Sequence, residues 1–165
     1  MNSRTVKFSY KLSEREFFFG SIISTYSTVA MKVGLVLSIF DILMSILVFT
    51  FNESTTFTLP MMTGALFFPM MFLVILPTII YFRCHKIYKN VPAVSEEYIC
   101  TLSPAEFSIS SASSSVAFKI SEFIKVKIYK SIVLLWFSKY QIIILPMKAL
   151  NGVILKQILS LKPAQ

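Results

Sequence analysis

The chain has 165 residues, 55% of them hydrophobic and only 15% charged, with a formal net charge of +8. Soluble domains carry about 25% charged residues, so this composition argues against an ordinary water-soluble globule, and its apolar richness argues against disorder. Four glycines argue against a glycine-rich phosphate loop.

From the first residues, VKFSYKL alternates Val6, Phe8, Tyr10 and Leu12 against polar partners, the period of a half-buried strand. Ser13 and Glu16 then have the spacing of a capping box, with Leu12 and Phe17 placed as a hydrophobic staple, so a helix is predicted from Glu14. Residues 1–29 read as a strand and a capped helix.

Two apolar blocks follow. Val33–Phe51 contains one charge, Asp41, and Met61–Phe82 contains none. At 1.5 Å per residue each covers about 30 Å, the thickness of a hydrocarbon core. The intervening NESTTFTLP is polar and turn-like, so residues 30–82 are predicted to form a two-helix transmembrane hairpin. A buried helical hairpin is the soluble alternative, but the remaining chain offers little to cover two all-round apolar helices. The first block is too long for a signal-peptide core and is followed by a second span. The inter-helix loop has no Lys or Arg, whereas Lys32 precedes the first block and Arg83, Lys86 and Lys89 follow the second. Positive residues stay on the cytoplasmic side, so both termini are expected to be cytoplasmic.

Residues 83–95 read as a basic linker. From residue 96 the pattern is β-rich: Tyr98, Cys100 and Leu102 alternate, Phe107 and Ile109 follow, then Val116, Phe118 and Ile120, and with FIKVKIYK, SIVLLWF and QIIILP they suggest about six short strands. IVLLWFSKYQIIIL, interrupted by a Lys and too short for a bilayer, is read as two buried strands rather than a third span. MKALNGVILKQILSL has helical spacing, with Asn151-Gly152 expected to break or delay it. The predicted class is an α+β membrane protein, with a transmembrane hairpin, a small cytoplasmic β-rich domain and a C-terminal helix. A domain of about seventy residues has a marginal core, so the strand at Val6–Leu12 is expected to join its sheet.

The stretches VKFSYKLSEREF and ISEFIKVKIYKSIVLLWF…IIILPMKAL, with a two-span hairpin between them, resemble the YcxB-like family of small bacterial membrane proteins of undefined function. One departure is Ile120, where the family usually has a Trp opening the segment. The resemblance implies a cytoplasmic, pleckstrin-homology-like β domain tethered by a hairpin in a bacterial inner membrane. It implies no activity.

Within the first block Gly34, Ser38, Asp41 and Ser45 fall on one helical stripe, the pattern of a helix-packing face in lipid. An ionised carboxylate at that depth costs about 3 kcal/mol. In the second block Pro77 cannot donate to the carbonyl of Leu73, which makes that carbonyl a candidate partner for a protonated Asp41. The face so formed serves either hairpin and homo-oligomer packing or an ion- or proton-coupled path.

On FIKVKIYK, strict alternation puts Phe123, Lys125, Lys127 and Tyr129 on one face and Ile124, Val126 and Ile128 on the other. With Lys32, Arg83, Lys86 and Lys89, Lys125 and Lys127 are candidates for contact with anionic headgroups or a protein partner. A solvated outer strand face accounts for them equally well.

His85, the only histidine, reads as a solvated juxtamembrane residue, and the cysteines Cys84 and Cys100 match no metal spacing. The carboxylates are scattered. No enzyme activity, metal or cofactor is expected, nor specific nucleic-acid binding. The expected function is that of a non-enzymatic binding protein. An immunity-type protector against a membrane-targeting toxin and an oligomeric coupled protein using Asp41 are the alternatives.

Overall fold

A computed structural model describes residues 5–51, 66–138 and 141–160. The NESTTFTLP loop and the start of the second apolar block, residues 61–65, lie outside them. The protein is α+β, and its chain forms two compact units, one of Met1–Gly20 with Cys84–Gln165 and one of Ser21–Arg83. Composition and spacing place these divisions instead at residues 29/30 and 82/83.

The first unit is a pair of antiparallel sheets. β1 (Val6–Lys11), β2 (Glu97–Leu102), β3 (Glu106–Ser110) and β4 (Ser115–Lys119) form one in the order β1-β2-β3-β4. β5 (Lys125–Ile128), β6 (Ile132–Trp136) and β7 (Ile142–Pro146) form the other in the order β5-β6-β7. The N-terminal strand does enter the sheet of the distant C-terminal segment. Val6 stands opposite Leu102 and Lys11 opposite Glu97. Because side chains alternate across a strand, this register aligns Phe8 with Cys100, and Cys100 with Ile109.

Tyr10, Cys100, Leu102, Phe107 and Ile109 from one sheet meet Val126, Val133, Leu135 and Leu145 from the other in a single core. Phe137 is its aromatic hub, with ring centroids 4.1 Å from Phe118 and 3.9 Å from Phe123. The apolar segment too short for a third span is β6 and β7, joined as a hairpin. β6 is buried along its whole length, so its apolar run replaces the usual alternation. Full burial of each such Leu, Ile or Val is worth roughly 1.5–3 kcal/mol.

α1 (Glu14–Tyr26) begins where the capping box places it. Ser13 N–H donates to Glu16 Oε2 at 2.9 Å, and Glu16 N–H donates to Ser13 Oγ at 3.3 Å. Gly20 is buried in α1 because a Cβ there would overlap Ile144 Cδ1 on β7. α1 does not run on into the next helix. Ser27 and Thr28 hydroxyls and amides turn back onto Ser24 and Thr25 carbonyls, which ends the helix.

α2 spans Val29–Phe51, and α3 is described over Leu66–Asn90. The expected linker at 83–95 is instead helical. RCHKIYKN contains no breaker, so α3 continues to Asn90. Val91 turns extended ahead of Pro92, and a one-turn helix, α4 (Pro92–Ser95), follows. The C-terminal helix α5 (Gly152–Ser160) starts after Asn151, whose Oδ1 accepts the Ile154 N–H at 2.9 Å. Its Ile154 and Ile158 enter the sandwich core.

The expected face of β5 is corrected by a 3₁₀ turn at Ile120–Glu122. The turn breaks strand periodicity just before β5, so Phe123 enters the core with Val126 while Ile124 is exposed; Ile128, at the strand's end, is exposed as well.

Candidate functional site

α2 and α3 hold 20- and 25-residue stretches, Val29–Val48 and Leu66–Asn90, long and apolar enough to cross a membrane. Only 11% of the most apolar window of each is buried. Val36, Ile39, Phe40, Leu43 and Ile46 on α2, and Phe67, Val74, Ile79 and Phe82 on α3, are exposed. A helix in a soluble core would be covered at these positions.

The covered part is a narrow seam. Gly34 is buried in α2 because Phe72 of α3 occupies the space of its side chain; a Cβ there would overlap the ring atoms Cε1 and Cζ. Four residues on, Ser38 is fully buried and its hydroxyl donates to the Gly34 carbonyl at 2.8 Å. Ser45 does the same to Asp41 at 2.7 Å, and Thr78 of α3 to Val74 at 2.7 Å. Back-bonding of this kind satisfies hydroxyls without water. Gly34, Ser38, Asp41 and Ser45 thus share the stripe that their spacing assigns. Gly34 and Ser38 are closed off, while Asp41 and Ser45 are half-buried.

The pairing of Asp41 with the Leu73 carbonyl does not form. Among the described residues the Asp41 carboxylate takes no hydrogen bond. Met70–Ile75 is a π-helical turn, and Leu76 N–H donates to the Met71 carbonyl, five residues back. In that register the carbonyl orphaned by Pro77 is that of Phe72, not Leu73. The Tyr26 hydroxyl at the end of α1 donates to it. Sequence reading misses Tyr26, because nothing in the spacing betrays a π turn.

Lys32 is exposed on the first turn of α2, and Arg83, Lys86 and Lys89 are exposed along α3. On β5, Lys125 is exposed opposite Trp136, and Lys127 is half-buried opposite Leu134. His85 is not merely solvated. Its Nδ1 lies 2.5 Å from Glu14 Oε1, and Tyr88, one turn on, donates to the Leu12 carbonyl at 2.9 Å. These contacts tie the end of α3 to the start of α1, and spacing alone could not foresee them. Glu16 bonds Lys148 Nζ at 3.2 Å. Burial alone would raise the Glu16 carboxyl, but the Ser13 hydrogen bonds and Lys148 hold it below the ordinary carboxylate value.

Cys100 is fully buried, and burial pushes its thiol up to about 12. Cys84 is also buried. Among the described residues no group of three or more His, Cys, Asp or Glu is placed to hold a metal ion. No protein-family model, no curated protein and no solved structure matches the chain.

Proposed function

We propose that the protein is an integral membrane protein whose β-sandwich unit acts as a non-enzymatic binding module beside the bilayer. The observation that carries this reading is the exposure of α2 and α3. Their apolar side chains are bare except along the Gly34–Phe72 seam, and water would not tolerate so much contiguous apolar surface. Lipid would. The serine and threonine hydroxyls of both helices already have acceptors within their own helix, which suits a medium that offers none.

The orientation with both ends cytoplasmic rests on Lys32, Arg83, Lys86 and Lys89 flanking the apolar stretches. In that orientation Lys86, Lys89 and Lys125 are available to an anionic leaflet, each worth about 1 kcal/mol when close to it. The order of elements supports placing the chain near the YcxB-like proteins: a capped helix after a strand, a helix pair, then six strands closed by a helix. Two sheets of four and three strands with a C-terminal helix are also what a pleckstrin-homology-like architecture requires.

The test is fractionation with topology mapping. The chain should stay with bacterial inner membranes through an alkaline wash, and tags at either end should be reachable only after lysis. Detergent-free solubility as a single species, or a tag accessible on intact cells, would sink the proposal. For headgroup contact, Lys86, Lys89 and Lys125 should react more slowly with an amine reagent in anionic than in zwitterionic nanodiscs.

A second reading, proton or ion coupling through Asp41, draws on its carboxylate having no hydrogen bond among the described residues. If it holds, Asp41→Asn should remove a pH-driven ion flux in reconstituted vesicles while leaving the amount inserted unchanged.

A further inference from the structure

The two sheets of the sandwich approach each other along β1 and β7, yet among the described residues no ladder joins them. β1 lies against both β7 and the 3₁₀ turn Met147–Ala149 that follows it, and Gly20 of α1 packs on Ile144. The corner is therefore shut to a further strand. What it leaves is a cavity of about 210 Å³ that opens to the surface. Tyr10 and Leu12 at the end of β1, Tyr98 and Ile109 on the strands beside it and Ile143 on β7 are among its walls.

The hydroxyls of Tyr10 and Tyr98 are the only polar side-chain groups on these walls, and no Lys, Arg, His, Asp or Glu lines them. Tyr98, ring-stacked on Tyr10 at 5.3 Å, donates to the Ala93 carbonyl. Tyr10 is 7% exposed, and its hydroxyl has no hydrogen-bond partner among the described residues. Buried phenols normally find one. The Tyr10 oxygen is not sealed in, since every fully enclosed side-chain polar atom of the described residues is paired. Tyr10 is a wall of the cavity, so its hydroxyl is reached from there. Burial holds the phenol protonated, well above its ordinary range, so it stays a donor.

Water suits this space poorly. An ordered water needs roughly two to four polar partners, and the side chains here offer one free donor. Displacing such loosely held water by an apolar group gains affinity. Volume then limits the occupant. A cavity of about 150 Å³ holds benzene, so in proportion this one takes about eight carbons. A full-length lipid acyl chain does not fit.

We propose that this cavity binds a small uncharged carbonyl compound, whose apolar body fills the space and whose oxygen accepts from the Tyr10 hydroxyl. A carbonyl supplies the acceptor without adding a donor that would need a partner of its own. The walls carry no charge, which selects against a carboxylate, a phosphate or an ammonium, because an ion buried without a partner is strongly disfavoured. A side chain of a partner protein could reach the same space, but its backbone would find no open strand edge at this corner to hold it. The inference deepens the binding-module reading and rests on it, not on membrane placement.

The experiment uses the full chain in nanodiscs with isotope-labelled isoleucine methyls, read by NMR as acetophenone is titrated in. α-Methylstyrene replaces the carbonyl oxygen by a methylene of similar size, and benzoate puts a charge in its place. Acetophenone should shift the Ile109 and Ile143 methyls saturably. α-Methylstyrene should bind about three- to tenfold more weakly, the worth of one hydrogen bond, and benzoate at about pH 8 should bind about tenfold or more weakly. Tyr10→Phe should weaken acetophenone by the same about three- to tenfold and leave α-methylstyrene within about twofold. The ligand pair makes this comparison on the unaltered chain as well, without touching the fold. Absence of a saturable shift, equal affinity for acetophenone and α-methylstyrene, or benzoate binding as tightly as the ketone would overturn the proposal. So would shifts that grow linearly and reach the exposed Ile39 of α2 and Ile79 of α3 equally, because these report partition into lipid. If acetophenone fails to bind while the chain still fractionates with membranes, the cavity site is refuted and the anchoring stands. If acetophenone binds saturably but is chemically converted, the cavity site stands and the non-enzymatic reading is refuted.

Discussion

Gly20→Ala isolates the contact between α1 and β7. In a free helix the change stabilises by about 1 kcal/mol, because Ala loses less backbone entropy than Gly. Here the new methyl would stand 2.8 Å from Cγ1 and 3.0 Å from Cγ2 of Ile144, and closer still to Cδ1, against about 3.5–4.0 Å for an ordinary carbon contact. Ile144 is β-branched and stiff at χ1, and its strand is pinned opposite Leu134. Rotating one branch away brings another closer. Overpacking of this kind costs about 1–3 kcal/mol, so the net loss is about 1 kcal/mol. Removing the obstruction reverses the sign: in an Ile144→Ala background, Gly20→Ala should stabilise by about 1 kcal/mol. The coupling is then about 2 kcal/mol, within the range for residues in contact. Trp136 is the only tryptophan and is buried in β6, so its emission during urea unfolding in detergent micelles reports on this unit. Stabilisation by Gly20→Ala in both backgrounds would refute the close approach.

Other perturbations test separate contacts. Ser13→Ala should cost about 1 kcal/mol through the lost cap. The lowered Glu16 carboxyl favours the folded state at pH values above its unfolded value, and that contribution is lost as pH falls through the folded one. Glu16→Gln, which can still cap, should therefore flatten the acid limb of stability below about pH 5 while changing stability at pH 7 by less than about 1 kcal/mol. The Cys100 thiol, pushed up to about 12 and fully buried, should resist iodoacetamide at pH 8 until the chain is unfolded by urea, as mass spectrometry can read. Tyr26→Phe leaves the Phe72 carbonyl without its donor. Amide exchange across residues 70–80 should quicken about three- to tenfold, as expected for about 1 kcal/mol; unchanged exchange would mean the bond contributes nothing.

What can be read from the residues is whatever is local or periodic. Val6–Leu12, the Ser13/Glu16 box, the two apolar blocks and the β6–β7 hairpin each announce themselves within a dozen or so residues. The sharing of one sheet by β1 and β2 is also inferable, because a short C-terminal domain needs the extra strand. The β5 face is misjudged when alternation is counted from Phe123, because Phe123 and Ile124 lie between a 3₁₀ turn and the start of the strand at Lys125. The 83–95 segment is misjudged when basic composition is taken for a linker, although its residues are adequate helix formers until Val91-Pro92. Glu14–His85 and Tyr88–Leu12 join residues 71 and 76 apart, and no local pattern encodes such pairs.

Pro77 shows how a correct premise reaches the wrong atom. A proline within a helix frees an acceptor, and in an apolar helix that acceptor needs a donor. The α register names Leu73, and a half-buried carboxylate on the neighbouring helix then looks like the donor. One extra residue in the turn, Met70–Ile75, transfers the vacancy to Phe72. The ring of that same residue fills the notch at Gly34, so a single side chain and its own carbonyl meet both α2 and the end of α1. Phe72 therefore fixes the helix pair by shape and by polarity at one position. Asp41 is left outside this arrangement, because the Phe72 carbonyl already has its donor in the Tyr26 hydroxyl.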